Sequence, residues 1–262
     1  SMGVQALNYS DLKRLGLIHS KEEEMTAYDI ARSAFERVSF DLIYARQGQT
    51  LHDRECELRQ AIDMAVDHLS LYQLTIEQGT AFGDRYNAGK LRDLPDEDLS
   101  ADLYAMTQDI CGAAGMPSYE VSNHARDGAQ SRHNLIYWRY GDYAGIGPGA
   151  HGRVTIGGTR WATEAYSNPS RWLSAVETVA CEKPRAALSR EDQAQEFLLM
   201  GLRLKEGISL ARYAEISGQS LSATAIQDLI ELGMATQAKD RLIVSNQGFM
   251  VLNAVISRLL DA

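Results

Sequence analysis

No stretch of this 262-residue chain approaches the ~20 apolar residues that crossing a bilayer requires, although 45% of its residues are hydrophobic. That content is ample for a large buried core, so the chain reads as a globular protein with no integral membrane segment. The first thirty residues carry acids throughout, so neither a signal nor a transit peptide is legible, and the cytoplasm is the default location. Basic excess is missing too: 26 Lys and Arg face 35 Asp and Glu, a net charge of -9. A protein whose main partner is duplex DNA needs the opposite balance, because phosphate binding draws on cationic side chains. Cysteine is scarce. Cys56, Cys111 and Cys181 stand far apart without C-x-x-C or comparable spacing, a pattern of reduced, buried thiols rather than of a metal or disulfide set. Internal repeats and low-complexity tracts are likewise missing.

What is present alternates between two periods. "SMGVQAL" reads as a short apolar strand, and Ser20 with Glu23 forms a capping-box signature ahead of "KEEEMTAYDIARSAFERV", where Met25, Ala27, Tyr28, Ala31, Ala34 and Phe35 recur at helical spacing. Strand "VSFDLIY", turn "ARQGQT", helix "LHDRECELRQAIDMAVD" and strand "HLSLYQLTI" follow. Strands separated by helices of this length predict parallel pairing with right-handed crossovers, as in a doubly wound sheet or a β/α barrel; three such strands cannot close a barrel. After Pro95, "DEDLSADLYAMTQDICGAAG" predicts a helix with favourable charge polarity, and "PSYEVSN" a strand.

From about Ser189 the texture changes to helices, a small hairpin turning at Lys239 and Asp240, and a final helix "GFMVLNAVISRLL", which together predict a winged-helix-like module. This tail holds seven Lys or Arg against nine Asp or Glu, and "SATAIQDLIELG", the helix that would enter a DNA groove, has no basic residue. It therefore reads as a packing or lid domain, and no nucleic acid partner is expected.

Chemistry concentrates at a few positions. Asp41, a carboxylate among apolar strand neighbours, needs partners; it reads either as an acceptor for a bound ribose or ammonium group, or as a structural ion-pair or turn residue. Gln5, a polar amide at a strand end, has the same two readings. The segment "RHNLIYWRYGDYAGIGPGAHGRV", residues 131–153, is the densest. His133 can ligate iron, act as a base or serve a structural bond, while Tyr137, Trp138, Tyr140 and Tyr143 offer flat faces suited to a macrocycle or to an ordinary core. "GIGPGAHG" lacks the G-x-x-x-x-G-K-[ST] pattern, so it reads as a tight obligatory loop rather than a nucleotide cradle.

"GVQAL", "FDLIYARQGQT", "HLSLYQLTIEQGTAF", "YEVSNHAR", "RHNLIYW", "YAGIGPGAHGR" and "GLRLKEG" occur together and in order. Over essentially the whole chain they resemble the HemW family of radical SAM heme chaperones, the oxygen-independent coproporphyrinogen III oxidase-like proteins. The resemblance implies an α/β fold: the C-terminal half of a partial (β/α)6 radical-SAM barrel over residues 1–160, a connecting segment 161–188, and a winged-helix-like domain 189–262. It also implies a heme-binding chaperone that delivers heme to clients such as respiratory enzymes, with S-adenosylmethionine and a [4Fe-4S] cluster in the full-length protein. Gln5 matches the family's G-V-Q glutamine and Asp41 its D-L-I-Y aspartate, both associated with S-adenosylmethionine. His133, Asn134, Tyr137 and Trp138 match its heme-linked H-N-x-x-Y-W motif, with His133 the implied iron ligand and Tyr137 or Trp138 touching the ring or its propionates.

Three departures accompany the match. The family's C-x-x-x-C-x-x-C motif is absent, so this chain is not expected to hold the cluster or to be catalytically active, and it reads as beginning midway through the barrel. Leu17 stands where relatives carry an arginine that helps bind S-adenosylmethionine, and Gln47 where a proline is common. The alternative readings are an oxygen-independent coproporphyrinogen III oxidase, or an inactive packing or interaction module. An open barrel edge predicts dimerisation or poor solubility.

Overall fold

The computed structural model describes residues 1–17, 21–178 and 181–261, and the chain divides into two compact units, Ser1–Gln130 and Ser131–Ala262. Residues 131–160, expected with the barrel, thus belong to the second unit, which also contains 189–262. The capping box expected at Ser20 lies outside the described residues.

Along the first unit run β1 (Met2–Gln5), α1 (Tyr9–Leu15), α2 (Lys21–Ala34), β2 (Phe40–Tyr44), α3 (Leu51–Met64), β3 (His68–Gln73), α4 (Ala81–Asn87), α5 (Glu97–Ala113) and β4 (Asn123–Ala125). Their boundaries follow from local chemistry. Asn8 and Asp96 accept backbone N–H bonds at the starts of α1 and α5, and Thr50 with Asp53 completes a reciprocal capping box on α3. The strands form one sheet in the order β1-β2-β3-β4. The first three are parallel, as strand–helix alternation predicts.

β4 departs from that pattern. It runs antiparallel to β3, pairing Asn123 with Ser70, and occupies only the end of the "PSYEVSN" stretch and the residues after it. The earlier residues turn back on themselves, with Ser118 bridging His124 and the Glu120 carboxylate accepting the Ser122 N–H at 2.8 Å. A strand entered through so short a reversal lies antiparallel, because no crossover element carries the chain back.

One face of the sheet is apolar. Val4, Phe40, Leu42, Tyr44, Leu69 and Leu71 are buried against Leu58 and Ala61 of α3 and Leu103 and Cys111 of α5. Each fully buried Leu or Phe contributes roughly 1.5–3 kcal/mol by leaving water. Arg46 pins the strand exits: its guanidinium donates to Asp11 at 2.7 Å and to both Glu57 oxygens at 2.9 and 3.1 Å, and Glu57 also accepts the Leu7 N–H at 3.1 Å. The turns after β1 and β2 are thereby tied to α3.

The second unit carries α6 (Arg132–Trp138), β5 (His151–Ile156), β6 (Thr159–Glu164), α7 (Pro169–Val176), β7 (Ala186–Ala187), α8 (Arg190–Gly201), β8 (Ile208–Ser209), α9 (Leu210–Ser217), α10 (Ala223–Glu231), β9 (Ala235–Ala238), β10 (Arg241–Val244), α11 (Asn246–Met250) and α12 (Leu252–Leu260). Strands β8-β10-β9 form a small antiparallel sheet whose hairpin turns at Lys239, as expected. With α8, α9, α10 and α12 they make the winged-helix-like module around buried Leu198, Leu202, Ile226, Leu229, Leu242 and Ile256. The final helix is broken in two at Val251, whose backbone is not helical. A second sheet, β5-β6-β7, is a hairpin extended by a short strand.

Leu42 is fully buried in the sheet core. Leu42→Ala is expected to cost about 3 kcal/mol by transfer loss plus cavity formation, read as a lower urea midpoint at unchanged m-value.

Candidate functional site

Side chains alternate across a pleated strand, so the face opposite the apolar core is set by the same residues. In the first unit that face carries Asp41, Ile43, His68, Ser70, Tyr72 and Asn123, because Asp41 pairs with Ser70 and Ser70 with Asn123. Ser70 donates to the Asn123 side-chain oxygen Oδ1 at 2.8 Å, and the Asn123 side-chain amide nitrogen donates to Glu120 at 2.6 Å. His68 Nε2 meets the Tyr119 hydroxyl at 3.0 Å, and burial lowers the His68 pKa, with the nearby Asp67 carboxylate opposing. These groups form a polar band on a sheet whose other side is dry.

Gln5 and Asp41 come together on this band. Gln5 takes a left-handed backbone, φ 64°, at a bulge in the β1–β2 ladder. Its amide nitrogen folds back over Gly3, where a Cβ would lie 2.7 Å away, and Gly3 is the ladder partner of Asp41. Asp41 accepts from the Ser1 hydroxyl at 2.7 Å and is half-buried, with no cation within ion-pair distance among the described residues. An amide folded back toward the strand position that pairs with a carboxylate suits hydroxyl and ammonium groups. Ser70, Asn123 and Glu120 escaped the sequence reading; the alternation of His68, Ser70 and Tyr72 was the signal available. Leu17, half-buried after α1, adds no donor.

A polar cavity of about 400 Å³ opens above Arg46 and Glu57, edged by Asn8, Arg14 and Cys56. The chain's thiols do not suit an iron–sulfur cluster. Burial pushes the Cys111 thiol up to about 12, away from the thiolate such a cluster needs. Cys56 is exposed beside His52, Sγ to Nε2 3.7 Å. Among the described residues no group of three or more His, Cys, Asp or Glu is disposed to hold a metal ion.

In the second unit the segment 131–153 is built on α6. Ser131 caps it by accepting the Asn134 N–H at 3.3 Å, which is the role the structure assigns to the Asn134 backbone. Four-residue spacing stacks His133 on Tyr137: the rings meet edge to face at 4.8 Å, and Nε2 lies 3.0 Å from the hydroxyl. Tyr143 continues the row, its ring 4.3 Å from that of Tyr137. His133 is exposed and the two tyrosines are half-buried. Exposed Ile136 and Ile146 add apolar surface in the same segment.

Trp138 is placed differently. Its ring lies 4.6 Å under the Arg203 guanidinium, and its buried indole N–H has no acceptor among the described residues. It is not brought together with the His133 row. Tyr140, just past the helix, is held three ways: its hydroxyl donates to Glu196 at 3.0 Å, Arg160 stacks on its ring at 3.9 Å, and Arg212 binds its carbonyl at 3.2 Å. Burial, then the Glu196 charge, push the Tyr140 hydroxyl well above its ordinary pKa. Arg153 grips the same Glu196 through two nitrogens at 2.7 and 3.0 Å.

The glycines that follow serve the chain itself. A Cβ on Gly145 would lie 2.5 Å from the His151 carbonyl oxygen, and one on Gly152 2.4 Å from the Thr163 hydroxyl and 2.9 Å from the Gly145 nitrogen. Two backbones pass each other at these points, so the close approach is strand to loop rather than chain to ligand.

The donor set fits a porphyrin. An exposed imidazole, two phenol rings meeting edge to face and exposed isoleucines in the same segment supply a nitrogen ligand and apolar surface. The model of the HemN C-terminal domain family matches residues 188–251. Heme chaperone HemW of Bacillus subtilis is 32% identical over 99% of this chain and 69% of its own length. The Escherichia coli protein of the same description is 33% identical over 99% and 68%. The mouse mitochondrial radical S-adenosyl methionine domain-containing protein 1 is 34% identical over 99% and 61%. A solved E. coli structure, coproporphyrinogen III oxidase HemN, a radical SAM enzyme, shares the fold with TM-score 0.75 at 17% identity, covering 98% of this chain and 63% of that one. The chain thus spans about two thirds of the length of these relatives.

The thiol environments make a direct prediction. At pH 8 Ellman's reagent is expected to titrate Cys56 in the folded chain and to leave Cys111 unreacted until denaturant is added. Because the folded Cys111 pKa is raised, its protonated form contributes stability fully present below the ordinary thiol range and lost as pH rises toward about 12. Unfolding midpoints measured across that window should fall less in Cys111→Ala.

Proposed function

The chain belongs to the HemW family of heme chaperones, and from that premise we propose that it binds heme on the His133–Tyr137–Tyr143 row and passes it to client proteins, among them respiratory enzymes. The observation that carries this reading is the exposed imidazole of His133, set by helical spacing edge to face against the Tyr137 ring, which in turn meets the Tyr143 ring edge-on. Bound heme supplies an iron that takes an axial nitrogen ligand and a flat ring that takes apolar contacts. His133 provides the nitrogen. Tyr137, Tyr143 and the exposed Ile136 and Ile146 provide the contacts, while Trp138 and Tyr140 hold the helix to its support. Asn134 contributes through the cap, and its half-buried carboxamide stands one residue from the ligand.

We propose further that Gln5 and Asp41 bind S-adenosylmethionine, the amide and carboxylate taking its hydroxyl and ammonium groups. The polar band of Ser70 and Asn123 supports them on the same sheet face. This surface is proposed for binding alone, since the thiols of this chain do not fit a [4Fe-4S] cluster and no turnover of a porphyrinogen is derived through it. No described helix is long and apolar enough to cross a membrane, and a cytoplasmic setting agrees with the reduced thiols. Among the described residues β1 pairs only with β2, and we propose its other edge as the contact through which two copies associate.

Hemin titration tests the main reading. Wild-type chain is expected to give a Soret shift typical of imidazole ligation, and His133→Ala to lose that shift with about tenfold or greater loss of affinity, the scale of one ligand bond worth at least ~1.4 kcal/mol. Light scattering tests the edge. A dimer mass at high concentration is expected, and a monodisperse monomer would count against association through β1.

A further inference from the structure

The imidazole that would bind iron already has a partner. His133 Nε2 lies 3.0 Å from the Tyr137 hydroxyl, and Tyr137 is itself held by the Tyr143 ring at 4.3 Å. Nε2 is the nitrogen a porphyrin iron can reach most freely, because Nδ1 sits beside Cβ and the helix backbone. A neutral imidazole has one lone pair for ligation, and a phenol O–H aimed at Nε2 occupies it while placing the ring proton on Nδ1.

We propose that Tyr137 is a positioning residue that caps His133: its hydroxyl donates to Nε2, fixes the Nδ1–H tautomer and competes with heme iron for the same lone pair. This rests on the heme reading above. The phenol keeps its proton throughout; one hydrogen bond is exchanged for one coordination bond. The cap makes ligation reversible at modest cost. When the hydroxyl swings away the nitrogen is presented in the correct protonation state, and when the cargo leaves the hydroxyl closes the site again. A protein that must surrender its ligand gains from such a competitor, whereas a permanent heme site would not. Tyr143 matters because its edge contact limits how far the Tyr137 ring can rotate, so the hydroxyl returns to one place.

The test uses the full chain with 15N-labelled histidine. In ligand-free protein, two-bond 1H–15N correlation spectra are expected to show His133 as the Nδ1–H tautomer, and Tyr137→Phe, which keeps the ring and removes the hydroxyl, is expected to shift it toward Nε2–H. In hemin titrations Tyr137→Phe is expected to bind about three- to tenfold more tightly than wild type, the range of one net hydrogen bond, with the same Soret position. His133→Ala in either background is expected to lose the imidazole signature. A wild-type His133 already protonated on Nε2, or a Tyr137→Phe affinity equal to or below wild type, would overturn the proposal. Equal binding by wild type and His133→Ala would instead sink the heme reading and the competition with it, while the heme-free tautomer spectra still decide the cap.

Discussion

The position of the His133 row depends on one carboxylate. Glu196, in the middle of α8, accepts the Tyr140 hydroxyl and a two-nitrogen grip from Arg153 of β5. Each charge-assisted bond of this kind contributes roughly 1.5–3 kcal/mol, and here they converge on an acid that is only one-fifth exposed. Tyr140 follows directly on α6, takes a left-handed backbone at φ 55° and carries Arg160 against its ring. Arg160 in turn binds Asp142 at 2.7 Å. Fixing Tyr140 therefore fixes where α6 ends, and the direction of α6 decides where the His133 imidazole, seven residues earlier in sequence, can point.

This arrangement separates holding from presenting. Trp138, Arg139 and Tyr140 are committed to Arg203, Glu206 and Glu196, all from the winged-helix-like part of the unit. His133, Ile136 and Tyr137 keep accessible surface. The first unit shows the same economy on a sheet. Leu42 and Leu71 bury one face, and Asp41 and Ser70, their strand neighbours, present polar groups on the other. In both cases a period set by the backbone, four residues in the helix and two in the strand, sorts the support from the site.

Much of this was legible in the sequence where the signal is local. The helices after the turn at Thr50 and after Pro95 follow from apolar period and charge polarity, and the parallel order of β1, β2 and β3 follows from their spacing. Asp41 and His133 stood out because a charged or ligating side chain in apolar company is costly without a role. What was hidden depends on partners far along the chain. The Glu196 grip on Tyr140 spans 56 residues and Trp138 meets Arg203 across a similar gap, so neither contact shows in the local pattern. The reversal of β4 was hidden for a different reason: it turns on a buried Glu120 bonding to its own neighbours, a pattern that reads as strand in a sequence rich in Tyr and Val. The glycines of 145–152 read as a tight loop, and the neighbours that require them, the His151 backbone at Gly145 and Thr163 at Gly152, show only in the folded chain.

In the proposed heme site His133 is the nitrogen that meets iron. A crystal structure of the chain grown with hemin measures this most directly. It should place the iron at bonding distance from His133 Nε2, on the exposed side of α6, with the Tyr137 hydroxyl displaced. Iron held by another residue such as His151, or heme seated away from α6 with the His133–Tyr137 bond intact, would contradict it.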